Sequence, residues 1–127
     1  MSDVALAAEY AYENGATVIN MSLGNYAESL TLKTTLENAY AYCALVAAAG
    51  NNNKPIDEGF GAAPMFPACY SFVQGTEAST NTGSKASFNN YNPSGPLTCG
   101  NSHGYNYEMR APGVSIMILF LMEIMMT

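Results

Sequence analysis

A chain of 127 residues with 49% hydrophobic residues and a mean hydropathy of +0.03 holds enough apolar material for one packed domain and is not composed like a disordered segment. Ten acidic residues against four basic ones give a net charge of -6, and the cations Lys33, Lys54, Lys85 and Arg110 are scattered, so no basic patch tracks a phosphate backbone and no nucleic acid partner is expected. Charged residues make up only 11% of the chain; Asn, Ser, Thr, Tyr and Gly take their place, a surface chemistry commoner in exported proteins.

The chain starts without a basic segment followed by an apolar run, so no signal peptide is visible. Residues 3–14 predict an amphipathic helix with Ser2 as N-cap, Val4, Ala7, Ala8, Ala11 and Tyr12 on its apolar face, and Gly15 as its stop. Residues 17–23, β-branched at their start and closed by Gly24-Asn25, predict a mostly buried strand. Residues 28–42 place Leu32, Leu36, Ala39, Tyr40 and Cys43 at helical spacing. The small apolar run 44–49 predicts a strand covered on both faces. Helix, strand, helix, strand with short connections implies an α/β domain whose sheet is mainly parallel and flanked by helices, because parallel neighbours need a crossover. Segments 18–23 and 44–49 are expected side by side, joined through a right-handed crossover by the second helix.

Further on, residues 51–67 read as a long loop, 71–77 as a third strand, 85–88 as a short strand and 89–104 as a second long loop. From Ile116 the chain ends in an apolar tail interrupted by Glu123. It is shorter than the roughly 20 residues a bilayer span takes, so no membrane span is expected. With one charge and no proline it is prone to associate. The cysteines lack metal-site spacing: Cys43 reads as a core residue, and Cys69 and Cys99 fall in loops either as a pair or as two free thiols. Neither metal nor cofactor is expected.

Ligands of open parallel sheets bind beyond the carboxyl ends of the strands. Two such ends are Ser22-Leu23-Gly24-Asn25 and Ala48-Ala49-Gly50-Asn51. Glycine lets another backbone approach, and the following carboxamide presents an N–H donor. Gly-Asn after a strand is also a common turn. The ordered set of segments, however, resembles the subtilisin-like serine peptidases: Val18-Ile-Asn-Met-Ser-Leu-Gly24, Val46-Ala-Ala-Ala-Gly-Asn51, Phe66-Pro-Ala-Cys-Tyr70, Lys85-Ala-Ser-Phe88 and Ala111-Pro-Gly-Val-Ser-Ile116. The resemblance implies a partial three-layer fold over residues 1–116, with 117–127 as a tail outside the family pattern. It gives Asn51 the role of oxyanion donor, and Ser22, Leu23 and Gly24 the backbone groups that hold an extended polypeptide substrate. Ala48, Ala49 and Gly50 become one wall of the pocket for the residue before the scissile bond, their small side chains leaving room for a large apolar group. It also implies a cis bond at Phe66-Pro67 and a secreted or cell-envelope parent.

The family order of catalytic residues is Asp, His, Ser, and the sequence departs from it. His103, the single histidine, follows Asn51 and sits in a Gly/Asn/Tyr-rich loop. Gly75-Thr-Glu-Ala-Ser79 has Glu77 where a nucleophile motif needs serine, and Asp3, Asp57 and Glu58 have no histidine in the right order. The expectation is a peptidase fragment without its triad, inactive alone. The alternatives are a non-catalytic peptide-binding module and a truncated product without function.

Overall fold

The computed structural model describes residues 1–56, 63–93 and 105–116. Among the described residues two helices, α1 (Ser2–Glu13) and α2 (Leu30–Tyr40), and four strands, β1 (Val18–Met21), β2 (Ala44–Ala48), β3 (Gln74–Ser79) and β4 (Met109–Pro112), follow one another as α1-β1-α2-β2-β3-β4. The strands form one parallel sheet whose spatial order equals the chain order. β1 and β2 are adjacent, with Ile19 opposite Leu45 and Met21 opposite Ala47. The expected pairing is therefore present, and α2 is its crossover.

Register determines which face is covered. Ile19, Met21, Leu45, Ala47 and Ala49 pack with Ala5 and Ala8 of α1 and Leu32, Leu36 and Ala39 of α2 in one apolar core. Burying each of these leucines contributes about 1.5–3 kcal/mol. The opposite face, with Asn20 and Ala48, is exposed. Among the described residues both helices lie on one side, so two layers of a three-layer architecture are seen. This corrects two expectations. β1 is an edge strand with Val18 58% exposed, and β2 alternates between exposed and buried residues rather than being covered on both faces.

Boundaries move for local reasons. Met1, not Ser2, is the N-cap of α1 and offers no side-chain bond; Ala5 takes the core place foreseen for Ala7, which is exposed. Ser29 caps α2 by accepting from the Leu32 N–H at 3.3 Å. β3 starts three residues later than expected because the chain first completes turns in which the N–H groups of Cys69, Tyr70 and Val73 donate to the carbonyls of Met65, Pro67 and Tyr70. Lys85 makes one bridge to Ser79, so residues 85–88 are not a strand. β4 was not foreseen: Met-Arg-Ala-Pro carries a charge and a proline, tolerable here because Pro112 closes a strand with β3 on one side only. The Phe66-Pro67 bond is cis.

Cys43 and Cys69 are buried free thiols, Cys43 donating to the Ala16 carbonyl at 2.9 Å, and burial pushes the Cys69 thiol up. Cys99, His103, Asp57, Glu58 and the tail 117–127 lie outside the described residues. Among the described residues no helix is long and apolar enough to cross a membrane.

One ion pair joins the last two strands. Glu77 of β3 is fully buried, and its Oε2 accepts from Arg110 Nε at 3.0 Å and Nη2 at 2.7 Å, while Oε1 accepts from the Asn92 N–H at 2.7 Å. Removing the cation strands a buried charge. Arg110→Met is expected to destabilise the chain by about 3–5 kcal/mol in urea unfolding, and Glu77→Gln/Arg110→Met to recover part of that loss.

Glu108 generates a second prediction. Burial holds its carboxyl above the ordinary value, against the pull of the Gly75 N–H, which donates to Oε2 at 2.6 Å. The ionised form is disfavoured in the fold, so stability present below the ordinary carboxylate pKa is lost as pH rises through the raised one. Glu108→Gln should match the wild-type urea midpoint below that window and exceed it above.

Candidate functional site

Because β1 and β2 are parallel neighbours, the segments after them emerge together. Ser22 and Asn51 line a cleft of about 440 Å³ on the uncovered face of the sheet, with Asn20, Ala48, Ala49, Gly50, Thr76 and Asn89 among its other walls. Leu23 and Gly24 are exposed just beyond β1, and Asn20 Nδ2 donates to Ser22 Oγ at 3.3 Å. Asn51 is exposed, and its carboxamide makes no hydrogen bond among the described residues.

The loop that carries Asn51 is held from behind. Gly50 has φ +101, and a Cβ there would stand 2.5 Å from Asn90 Nδ2, so both the turn and the close approach require glycine. Asn90 is fully buried. Its Oδ1 accepts from the N–H groups of Asn52 at 3.1 Å and Lys54 at 3.0 Å, and its Nδ2 donates to the Ala49 carbonyl and to Tyr26 Oη, both at 2.9 Å. Its own N–H donates to the Gly50 carbonyl at 2.9 Å. Tyr26 Oη in turn donates to Asn52 Oδ1 at 2.8 Å, and the Lys54 ammonium stands over the Tyr26 ring, 4.8 Å from its centre. Two residues beyond Gly24, Tyr26 thus ties the segment after β1 to the segment after β2.

A third segment closes the space beneath. Asn25 and Phe66 exchange backbone hydrogen bonds at 2.9 Å, which lays residues 65–66 against the exit of β1. The Met65 side chain touches both exits: a Cβ at Gly24 would lie 2.5 Å from its Sδ, and one at Gly50 2.7 Å from its Cε.

The cleft holds unmet polar demand. Among the described residues Thr76 Oγ1 and Asn89 Nδ2 are buried without a partner, although Asn89 Oδ1 accepts from the Ala78 N–H at 3.0 Å. Glu77 is the single ionisable residue among its described lining residues, and both its oxygens are committed to Arg110 and Asn92. Among the described residues no group of His, Cys, Asp and Glu is placed to hold a metal ion. Nothing in the local sequence distinguishes Asn90, Tyr26 or Met65, since each acts on residues far along the chain.

Asn90→Ala should leave the amides of Asn52 and Lys54 and the Ala49 carbonyl without partners, at a cost of about 3 kcal/mol. Hydrogen exchange checks it: protection at Asn52 and Lys54 should fall more than at Leu45 or Ala47 in β2.

The subtilase family (peptidase S8) matches residues 1–120. Similar curated proteins include the thermostable alkaline protease of Halalkalibacterium halodurans, 34% identical over 117 residues that cover 91% of this chain and 27% of that protein. Subtilisin DY of Bacillus licheniformis is 37% identical over 109 residues, covering 85% of this chain and 34% of that protein. Among solved structures, a cold adapted subtilisin-like serine proteinase superposes with a TM-score of 0.67 at 25% identity, covering 91% of this chain and 36% of that one. The chain thus spans about a quarter to a third of the length of these relatives.

Proposed function

This chain belongs to the subtilase family, and from that premise we propose that it supplies the oxyanion donor and part of the substrate cleft of a serine endopeptidase acting on extended polypeptides. The observation that carries this reading is the uncommitted carboxamide of Asn51, standing beyond β2 in a cleft while the backbone around it is pinned by Asn90. A donor fixed before the reaction stabilises the negative charge that develops on the carbonyl oxygen without having to reorganise. Ser22, Leu23 and Gly24 lie beyond an edge strand, where their backbone groups pair with a substrate laid alongside as an added strand. Ala48, Ala49 and Gly50 form the facing wall.

An acyl-enzyme needs a serine nucleophile, a histidine base and an aspartate that orients it. The one histidine in these 127 residues, His103, follows Asn51 instead of preceding it, and the described lining of the cleft has no free acid or base. Hydrolysis therefore requires residues beyond these 127. The same observation favours a second reading, in which the cleft holds peptides without cleaving them.

Activity separates these statements. The purified chain should hydrolyse a peptide substrate no faster than buffer, should not be labelled by a fluorophosphonate probe, and should be unchanged in both respects by Asn51→Ala. Turnover that disappears in Asn51→Ala would show a complete catalytic apparatus and overturn the statement that hydrolysis requires residues beyond these 127, while turnover unchanged in Asn51→Ala would overturn the oxyanion role. Binding of an extended peptide that shifts the amide signals of Ser22 to Gly24 supports the cleft.

A further inference from the structure

We propose that the end of the sheet opposite the cleft is a docking site for a protein segment that presents arginine, recognised by the Tyr42 ring and the carboxylates of Glu9 and Glu13.

The cleft lies beyond the carboxyl ends of β1 and β2, whereas each helix runs into the amino end of the strand that follows it, α1 closing on Glu13 and α2 on Tyr40. The negative ends of both helix dipoles therefore meet at this opposite end. Cations stabilise such a place, yet neither helix has a basic residue in its last turn. α1 instead carries Glu9 and Glu13, exposed like charges four residues apart, which repel each other and the helix end beside them. Among the described residues no cation pairs with them: Lys33, Lys54 and Lys85 stand over Tyr70, Tyr26 and Tyr91, and Arg110 is bound to Glu77. The same charges reach Tyr12, whose hydroxyl is held above its ordinary value by burial first and then by Glu9 and Glu13.

An aromatic surface lies beside this unanswered charge. The Tyr12 and Tyr42 rings are stacked, their planes 4° and their centres 5.9 Å apart, and Tyr42 is 70% exposed. The turns that carry them are fastened together: Cys43 Sγ donates to the Ala16 carbonyl and the Ala44 N–H to the Thr17 carbonyl, both at 2.9 Å. The open ring is thus held in place next to the carboxylates. Charge complementarity selects a basic partner, and the net charge of -6 adds to the attraction. A guanidinium fits both features, because it stacks flat on a tyrosine while its N–H fork reaches carboxylates at the ring edge. An ammonium is a point charge and satisfies one of them at a time.

The test uses the ¹⁵N-labelled 127-residue chain and three N-acetylated peptide amides, Gly-Arg-Gly-Arg-Gly and its counterparts with lysine or with citrulline, the neutral isostere of arginine. The arginine peptide should bind about tenfold more tightly than either counterpart, more weakly as salt rises, and should move the amide signals of Asn14 and Tyr42 while those of Ser22 to Gly24 stay. Tyr42→Ala and Glu9→Gln/Glu13→Gln should each lose that margin, and Tyr42→Phe should keep it. All three side chains are exposed, so these variants fold, and Glu9→Gln/Glu13→Gln should show a higher urea midpoint than the wild type because the repulsion is gone. Equal binding of the arginine and citrulline peptides overturns the proposal, as do no binding of the arginine peptide, a margin unchanged in Tyr42→Ala or Glu9→Gln/Glu13→Gln, and signals that move only at the cleft. A lysine peptide that binds as tightly as the arginine peptide overturns the assignment to arginine.

Discussion

One buried carboxamide organises the region of interest. Asn90 has two donor hydrogens and an acceptor oxygen, and all are used: two loop amides on its oxygen, a strand-end carbonyl and a tyrosine hydroxyl on its nitrogen. A turn with positive φ at Gly50 and three successive asparagines has little intrinsic preference for one shape. Asn90 supplies that preference from a distant part of the chain, and its burial makes the bonds strong because water cannot replace them. Glycine at 50 is the counterpart of this arrangement, since any side chain there would meet the amide that holds the loop.

A sheet covered on one side by two helices explains much of the surface. In β1 and β2 the core takes alternate residues, Ile19, Met21, Leu45 and Ala47, while Asn20, Val46 and Ala48 between them line the cleft. The few cations are all engaged locally. Lys33, Lys54 and Lys85 stand over Tyr70, Tyr26 and Tyr91, and Arg110 is spent on Glu77. Charge in this chain fastens segments to one another.

What was legible in the sequence followed from local periodicity and composition. Leu32, Leu36 and Ala39 at helical spacing gave α2, and two short apolar runs separated by a helix gave the parallel pair β1 and β2. Burial within those runs was misread because a small apolar residue such as Ala48 or Val18 fits a pleated surface whether or not a layer covers it. Strand β4 was illegible because its pairing with β3 and the ion pair from Arg110 to Glu77, not the propensity of Met-Arg-Ala-Pro, make it a strand. The exits of β1 and β2 were found from their Gly-Asn endings, while the residues that shape them, Asn90 and Met65, were not. Each exerts its effect through partners brought near only by the completed fold.

The sequence separations in that network also bear on the order in which the domain acquires its parts. The pairing of β1 with β2 joins residues 26 apart, and α1 meets α2 across a similarly short span. The bonds of Asn90 to Lys54, Asn52, Ala49 and Tyr26 close separations of 36, 38, 41 and 64 residues. Closing the longer loops costs more chain entropy, and contacts between distant residues form late for that reason. On a ribosome, which makes the amino-terminal end first, residues 2–48 that form α1, β1, α2 and β2 exist before the partner of the turn carrying Asn51. The turn takes its final shape only when residue 90 has been made and has reached it.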